Sequence, residues 1–182
     1  MKKLIFITGY YEPFFEAILN EDIETMDLYI QTALDVNKEK SKQFFYSDSN
    51  ALELAAKKGK VKAATHLCNN GALITQKAFE YACMNAQNIA EEFLKRGFKP
   101  TLNAALLFEA VEKNNKKAVH YLLTLGIDYT QKNEKGKKPL DIAIQQKKHE
   151  ALLGFGECAA LFDKKTKKRI EKYRVRTLVG LR

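Results

Sequence analysis

Apolar residues recur three and four positions apart through most of the chain, the spacing of one buried face on an α-helix. In "NALELAAKKGKVKAATHLCNNGALI", Asn50 to Ile74, the pattern breaks at Gly59, resumes, and closes at Gly71. That spacing predicts two short helices joined by a tight turn, not one long helix. The pattern then recurs along the chain, as in a repeat protein. Ala55 stands sixteen residues before Gly71, Ala110 sixteen before Gly126, and Ala82 fifteen before Gly97. Near the N-terminus Ala17 stands sixteen before Ala33, which takes the glycine's place, and a fifth copy carries Ala143 as its marker. The markers are therefore 38, 27, 28 and 33 residues apart.

Each copy reads as an inner and an outer helix, antiparallel to one another. Gly59, and Asn114 in the fourth copy, supply the turn between them, where a residue tolerant of positive φ is useful. Alanine at the marker lets neighbouring inner helices approach closely. Leu52, Leu67, Phe79, Phe93, Leu94, Leu107, Leu122 and Leu140 are expected to face adjacent copies. A lone helix pair cannot bury such a face, so the copies are expected to stack around a shared core as one cooperative unit.

"KPLDIA", Lys138 to Ala143, resembles the Thr-Pro-Leu-His-x-Ala helix start of ankyrin repeats, and "ALDVN", Ala33 to Asn37, resembles their Gly-Ala-Asp-Val-Asn helix end. "GIDYTQKNEKGKKPLDIA", Gly126 to Ala143, fits the hairpin between two such repeats without a gap. The resemblance runs from Pro13 to Gly156. It implies an all-α, ankyrin-type helical solenoid of about five helix-pair repeats, near residues 12–47, 48–75, 76–102, 103–135 and 136–162. These make a domain over 1–162, followed by a basic C-terminal helix or tail over 163–182. Roughly five or six hairpin residues are missing at each of the second and third junctions, whereas the first junction is too long. At most one well-formed hairpin, between Gly126 and Lys138, is therefore expected.

The same resemblance implies a non-catalytic module that binds a partner protein through a concave face. On that face the family places the two residues that follow the marker by two and three positions. Here they are Leu19 and Asn20, Lys57 and Lys58, Met84 and Asn85, Glu112 and Lys113, and Gln145 and Gln146, with Lys137 nearby from the hairpin. Met84 is expected to be exposed, an adaptable apolar centre with Lys57 and Lys58 as its charged rim.

Charge changes the picture at one end only. "DKKTKKRIEKYRVRTLVGLR", Asp163 to Arg182, holds nine Lys or Arg against Asp163 and Glu171, a net +7 of the chain's +9. Lys164, Lys165, Lys167, Lys168 and Arg169 form its densest block, compatible with nuclear import or with binding nucleic acid or an anionic membrane. This is the second functional reading. Phe162, Thr166, Ile170 and Tyr173 fall at helical spacing, which predicts a last helix docked by one face and charged on the other.

Composition narrows the remaining classes. An apolar fraction of 46% argues against disorder, and no apolar run approaches the ~20 residues of a membrane span. "MKKLIFITG" begins like a signal peptide, but its apolar stretch is only Leu4 to Ile7, so it is expected to pack onto the first copy. Cys68, Cys83 and Cys158 are odd in number and irregularly spaced, which favours a reducing, intracellular and cytoplasmic setting. Abundant Lys, Asn, Phe and Tyr fit an AT-rich genome. With the resemblance, this raises an effector that an intracellular bacterium or large DNA virus delivers into a host cell.

No catalytic motif emerges. His66, His120 and His149 lack zinc-site spacing, and His66 and Cys68 lie two apart on one helix, so they point in different directions. "GFGECAA", Gly154 to Ala160, lacks the preceding strand and third glycine of a dinucleotide site and reads as a helix-ending loop. "ITGYYEP" lacks the Gly-Lys-Ser/Thr of a phosphate loop. The expectation is a monomer with no enzyme activity, no cofactor and no metal, acting on a protein partner that no residue names.

Overall fold

A computed structural model of the chain describes residues 11–32, 34–37 and 49–178, and the side chains of 13–32, 34–37 and 49–173 among them. The N-terminal segment expected to pack on the first copy, Ala33 and most of the long first junction lie outside the described residues. The described residues form eleven α-helices and no strand, so the fold is all-α. They fall into two compact units that meet in sequence at Pro100 and Thr101.

The first unit holds α1 (Tyr11–Asn20), α2 (Ile23–Gln31), α3 (Ala51–Lys57), α4 (Val61–Asn69), α5 (Gln76–Asn85) and α6 (Gln87–Lys95). Its inner helices pack in the order α1, α3, α5, and its outer helices in the order α2, α4, α6. Phe14, Phe15, Ile18, Met26, Leu52, Leu67, Phe79 and Phe93 fill the space between the two rows and are buried. Leu94, expected to face a neighbouring copy, is only half-buried. The second unit holds α7 (Ala104–Glu112), α8 (Lys116–Thr124), α9 (Pro139–Gln145), α10 (His149–Glu157), a 3₁₀ turn at Ala159–Leu161, and α11 (Lys164–Leu178). There α7 packs on α9, α8 on α10, and α11 on α10. Leu107, Leu122 and Phe155 form its buried centre, and Phe162 stacks edge-on to Tyr129 with ring centroids 4.7 Å apart.

The markers close four of the five inner helices in one way. The carbonyls of Ala17, Ala55, Ala110 and Ala143 accept the N–H five residues on, from Asp22, Lys60, Asn115 and Lys148, at 2.8–2.9 Å. The residue in between is left-handed in all four: Glu21 (φ 54), Gly59 (φ 67), Asn114 (φ 52) and Lys147 (φ 53). This is the Schellman closure, which satisfies carbonyls that the helix end would leave without partners. The third copy differs. Ala86 has φ −156°, and its N–H donates to Ala82 O at 2.8 Å, so α5 passes to α6 through a turn one residue shorter. That accounts for the interval of fifteen in place of sixteen. Outer helices end alike at Gly71, Gly97 and Gly126, all with positive φ.

The starts of the helices link neighbouring copies. Asn50, Thr75 and Asn103 cap α3, α5 and α7 with their own side chains. Lys60 and Lys148 make no side-chain cap for α4 or α10. In their place Glu21 Oε1 accepts the Lys62 N–H at 2.9 Å, and Asn114 Oδ1 accepts the Ala151 N–H at 3.1 Å. The turn residue of one copy thus caps the outer helix of the next, within each unit. Inner helices are linked through the buried carboxylate of Glu53 on α3, which accepts the Thr75 hydroxyl at 2.8 Å and meets Lys77 Nζ at 3.3 Å.

One expectation fails. Gly154 and Gly156 are not in a loop but inside α10. A methyl group on Gly154 would meet the Lys116 carbonyl oxygen at 2.6 Å and Val119 Cβ at 3.0 Å, so glycine there lets α10 lie directly against α8. The segment from Gly126 to Lys138, where at most one hairpin was expected, contains no strand. It is a compact loop in which the Asn133 N–H donates to Lys137 O at 2.9 Å, and Asn133 Oδ1 accepts the N–H groups of Lys135 and Lys137 at 3.0 Å. Asn133 binds its own backbone and draws the loop into a turn before a strand pair can extend.

Gly154→Ala is expected to lower stability by about 1–3 kcal/mol, because backbone must move and overpacking outweighs the better helix propensity. Chemical denaturation of the two proteins checks it. Lys147→Gly, at an exposed left-handed position, is expected to gain up to ~1 kcal/mol by the same measurement, whereas Gly59→Ala loses about as much.

Candidate functional site

The second unit contains a groove of about 720 Å³ between α7, the end of α9 and the loop 131–137. Each wall follows from the local sequence. The inward face of α7 is fixed by the fully buried Ala110 and Leu107, which turns Ala105, Glu109 and Glu112 toward the groove, with Phe108 half-buried beside them. Pro139 starts α9, as its missing N–H permits, and its last turn brings Gln145 and Gln146 to the opposite wall. The Asn133 turn holds the loop upright, and Lys137 Nζ donates to Gln145 Oε1 across its base. Phe108, Ala104 and the buried Ile142 give the lining some apolar surface, but most of it is polar, from Glu109, Glu112, Gln145, Gln146 and the charged loop residues.

Four of the sequence-predicted residues, Glu112, Lys137, Gln145 and Gln146, line this groove. Lys113 does not; it is exposed and pairs with Glu109 at 2.6 Å, one helical turn back. In the first unit Asn20, Lys58 and Asn85 are exposed, and Leu19 and Lys57 are half-buried, with Lys57 Nζ 5.5 Å from the centre of the Tyr81 ring. Met84 is not exposed: it is buried, at 4% of its full accessibility. The turn at Gly59 lies against Asn85 and Ala86, and the shortened α5–α6 connection carries α5 one residue further past its marker than α3, so its last turn is covered. An apolar centre at Met84 with a rim of Lys57 and Lys58 therefore does not exist. Phe108, Glu109 and Asn133 are groove residues that the two-and-three rule overlooked. The Asn-x-x-Gly spacing of Asn133 and Gly136 was the available signal for the loop.

One constellation spans sequence positions too distant for spacing arguments. Cys158 Sγ lies 3.4 Å from His120 Nδ1, and Glu157 Oε2 lies 3.5 Å from the same nitrogen, while Lys116 Nζ holds Glu157 Oε1 at 2.7 Å. A nucleophilic site needs the base to hold the thiol through one nitrogen and its orienting group through the other. Here both partners converge on Nδ1. Burial, and then the Glu157 carboxylate, push the Cys158 thiol above its ordinary value. The thiol is also buried, so no thiolate is presented to a substrate. Burial raises Cys68 too, and lifts Cys83 to about 12. His66, expected as a packed helix residue, is half-buried and joins Asp27 of the neighbouring outer helix at 2.8 Å. Among the described residues no group of three or more His, Cys, Asp or Glu is placed to hold a metal ion. Among them, too, no helix is long and apolar enough to cross a membrane.

The C-terminal basic block is on α11. Lys164, Lys165, Lys167 and Lys168 are exposed, Arg169 is half-buried, and Ile170 is buried against the unit. Asp163 caps the helix by accepting the Thr166 N–H and hydroxyl, both at 2.9 Å. Asp141 accepts the Lys138 N–H at 3.0 Å and Arg169 Nη2 at 2.7 Å. Burial works against the Asp141 carboxylate, but Arg169 and the Lys138 N–H outweigh it and hold its pKa below the ordinary value. No protein-family model matches the chain, and no curated protein matches it.

The cysteines give a direct check on this reading. In the native protein at pH 8 a thiol reagent is expected to modify Cys68 slowly and to leave Cys83 and Cys158 untouched until denaturant is added, as followed by mass spectrometry.

Proposed function

We infer that the chain is a non-catalytic interaction module whose second unit receives a partner protein in the groove between α7, α9 and the 131–137 loop. The observation that carries this reading is the groove itself, which gathers Glu112, Gln145 and Gln146, at the register where ankyrin repeats present their partner-binding side chains, with Lys137 of the loop beside them. A largely polar lining with some apolar surface from Phe108 and Ile142 is compatible with a non-obligate protein interface, which is only about as apolar as the rest of a protein's surface. The ankyrin assignment belongs to the proposal. The repeated markers, the stacked helix rows within each unit and the "KPLDIA" start of α9 support it. The geometry at His120 and Cys158 gives no support to chemistry of the chain's own. Delivery into a host cell remains part of the proposal and rests on composition and resemblance alone.

The test places a photo-reactive side chain at Gln145, and separately at Glu91 on the outer helix α6, and captures partners from cell lysate. Cross-linking from Gln145 is expected, and Glu112→Lys combined with Lys137→Glu is expected to weaken capture by at least ~1 kcal/mol, about fivefold. The reading fails if those groove changes leave capture intact while Glu91→Lys with Lys95→Glu abolishes it.

A further inference from the structure

The basic charge of this protein is confined to one unit and largely to one helix. Residues 1–100 carry thirteen Lys and Arg against thirteen Asp and Glu, whereas residues 101–182 carry eighteen against nine. On α11 the lysines at 164, 165, 167, 168 and 172 are exposed, on the side opposite the buried Ile170. At 100° per residue they cover a continuous arc of a little under half the helix circumference, over about 12 Å of length. Among the described residues none of these five forms an ion pair. The acidic residues next to them do not neutralise the arc: Asp163 is taken up in capping the helix, and only Glu171 faces outward among the lysines. The helix is also held in place. Ile170 is 2% exposed, and Arg169 is bonded to Asp141 on α9, so the arc is displayed on a fixed support.

We propose that α11 is a binding surface for the phosphodiester backbone of double-stranded nucleic acid. The partner follows from the charge of α11 and from its described side chains. A membrane-surface helix puts an apolar face into the lipid, but here that face is spent on α10, and the described side chains of α11 expose no large apolar group. A binder of single strands offers aromatic rings for bases to stack on. The only described aromatic on α11, Tyr173, is half-buried. The exposed lysines of the described part of α11 give contacts to phosphates, which position a duplex without reading its bases, so the binding is independent of sequence.

Fluorescence anisotropy of a short labelled duplex, made once as DNA and once as RNA, titrated with the full chain, tests this. Binding is expected at ~50 mM salt and is expected to weaken about 40-fold by ~200 mM, the fall for roughly three neutralised phosphates. Replacing Lys164, Lys165, Lys167 and Lys168 by Glu is expected to remove it. The milder replacement by Gln, with helicity checked by circular dichroism, keeps the test valid if the Glu variant unfolds. Lys60→Glu with Lys62→Glu in the first unit, which changes net charge elsewhere, is expected to alter affinity less than threefold. The proposal is overturned by any of three results: no binding of either duplex at ~50 mM salt, equal loss from the control pair, or capture by phosphatidylserine vesicles without binding to duplex. A preference for RNA or for DNA identifies which duplex the surface serves.

Discussion

A single backbone bond, from the marker alanine's carbonyl to the N–H five residues later, sets the shape of four of the five helix pairs. Forming it requires a left-handed residue at the fourth position, and the alanine side chain at the marker is small enough to be buried where inner helices meet. Ala55, Ala110 and Ala143 are at 0% exposure and Ala17 at 4%. Once the bond is made, the outer helix is sent back along the inner one, and the two present a common apolar face. Where the left-handed residue is absent, as at Ala86, the connection shortens and Met84 is buried, although Asn85 beside it stays exposed. The same local rule thus explains both the regular copies and the irregular one.

The turn residues do more than reverse the chain. Glu21 and Asn114 cap the outer helix of the following copy, so a residue in an unfavourable backbone region also satisfies a neighbour's unpaired N–H. In these two places, one in each unit, an outer helix is completed by the copy before it. Gly154 shows the steric side of that dependence. The approach of α10 to α8 leaves no room for a side chain there, and the position can be glycine only at some cost in helix propensity.

Asp141 connects the two surfaces to which function is assigned. It stands in the "KPLDIA" start of α9, where it holds the helix's first N–H, and its other oxygen fastens Arg169 of α11. The end of α9 forms a wall of the groove, and α11 carries the lysine arc. One carboxylate therefore fixes the helix that shapes the groove and the helix that displays the charge. That bond is complete above Asp141's ordinary pKa and is lost only as pH falls through the lower folded value.

Periodicity and glycine placement made the helix pairs, their order and their turn positions legible in the sequence, because those features depend on local backbone preference and on which face is apolar. The docked last helix was legible for the same reason, in the spacing of Phe162, Ile170 and Tyr173. Exposure at the helix ends was not, since it depends on which turn packs over which end: Lys58 and Asn85 are open while Met84 is covered. Nor could spacing show that Gly154 and Gly156 continue a helix, because a glycine that ends a helix and one that admits a neighbour look alike until the neighbour is in place. The meeting of His120 with Cys158, 38 residues apart, and of Arg169 with Asp141, 28 apart, was likewise decided only by packing. Sequence periodicity fixes which face of a helix turns inward, but contacts between side chains on different elements also depend on how far and at what angle those elements pack, and only the tertiary structure determines that.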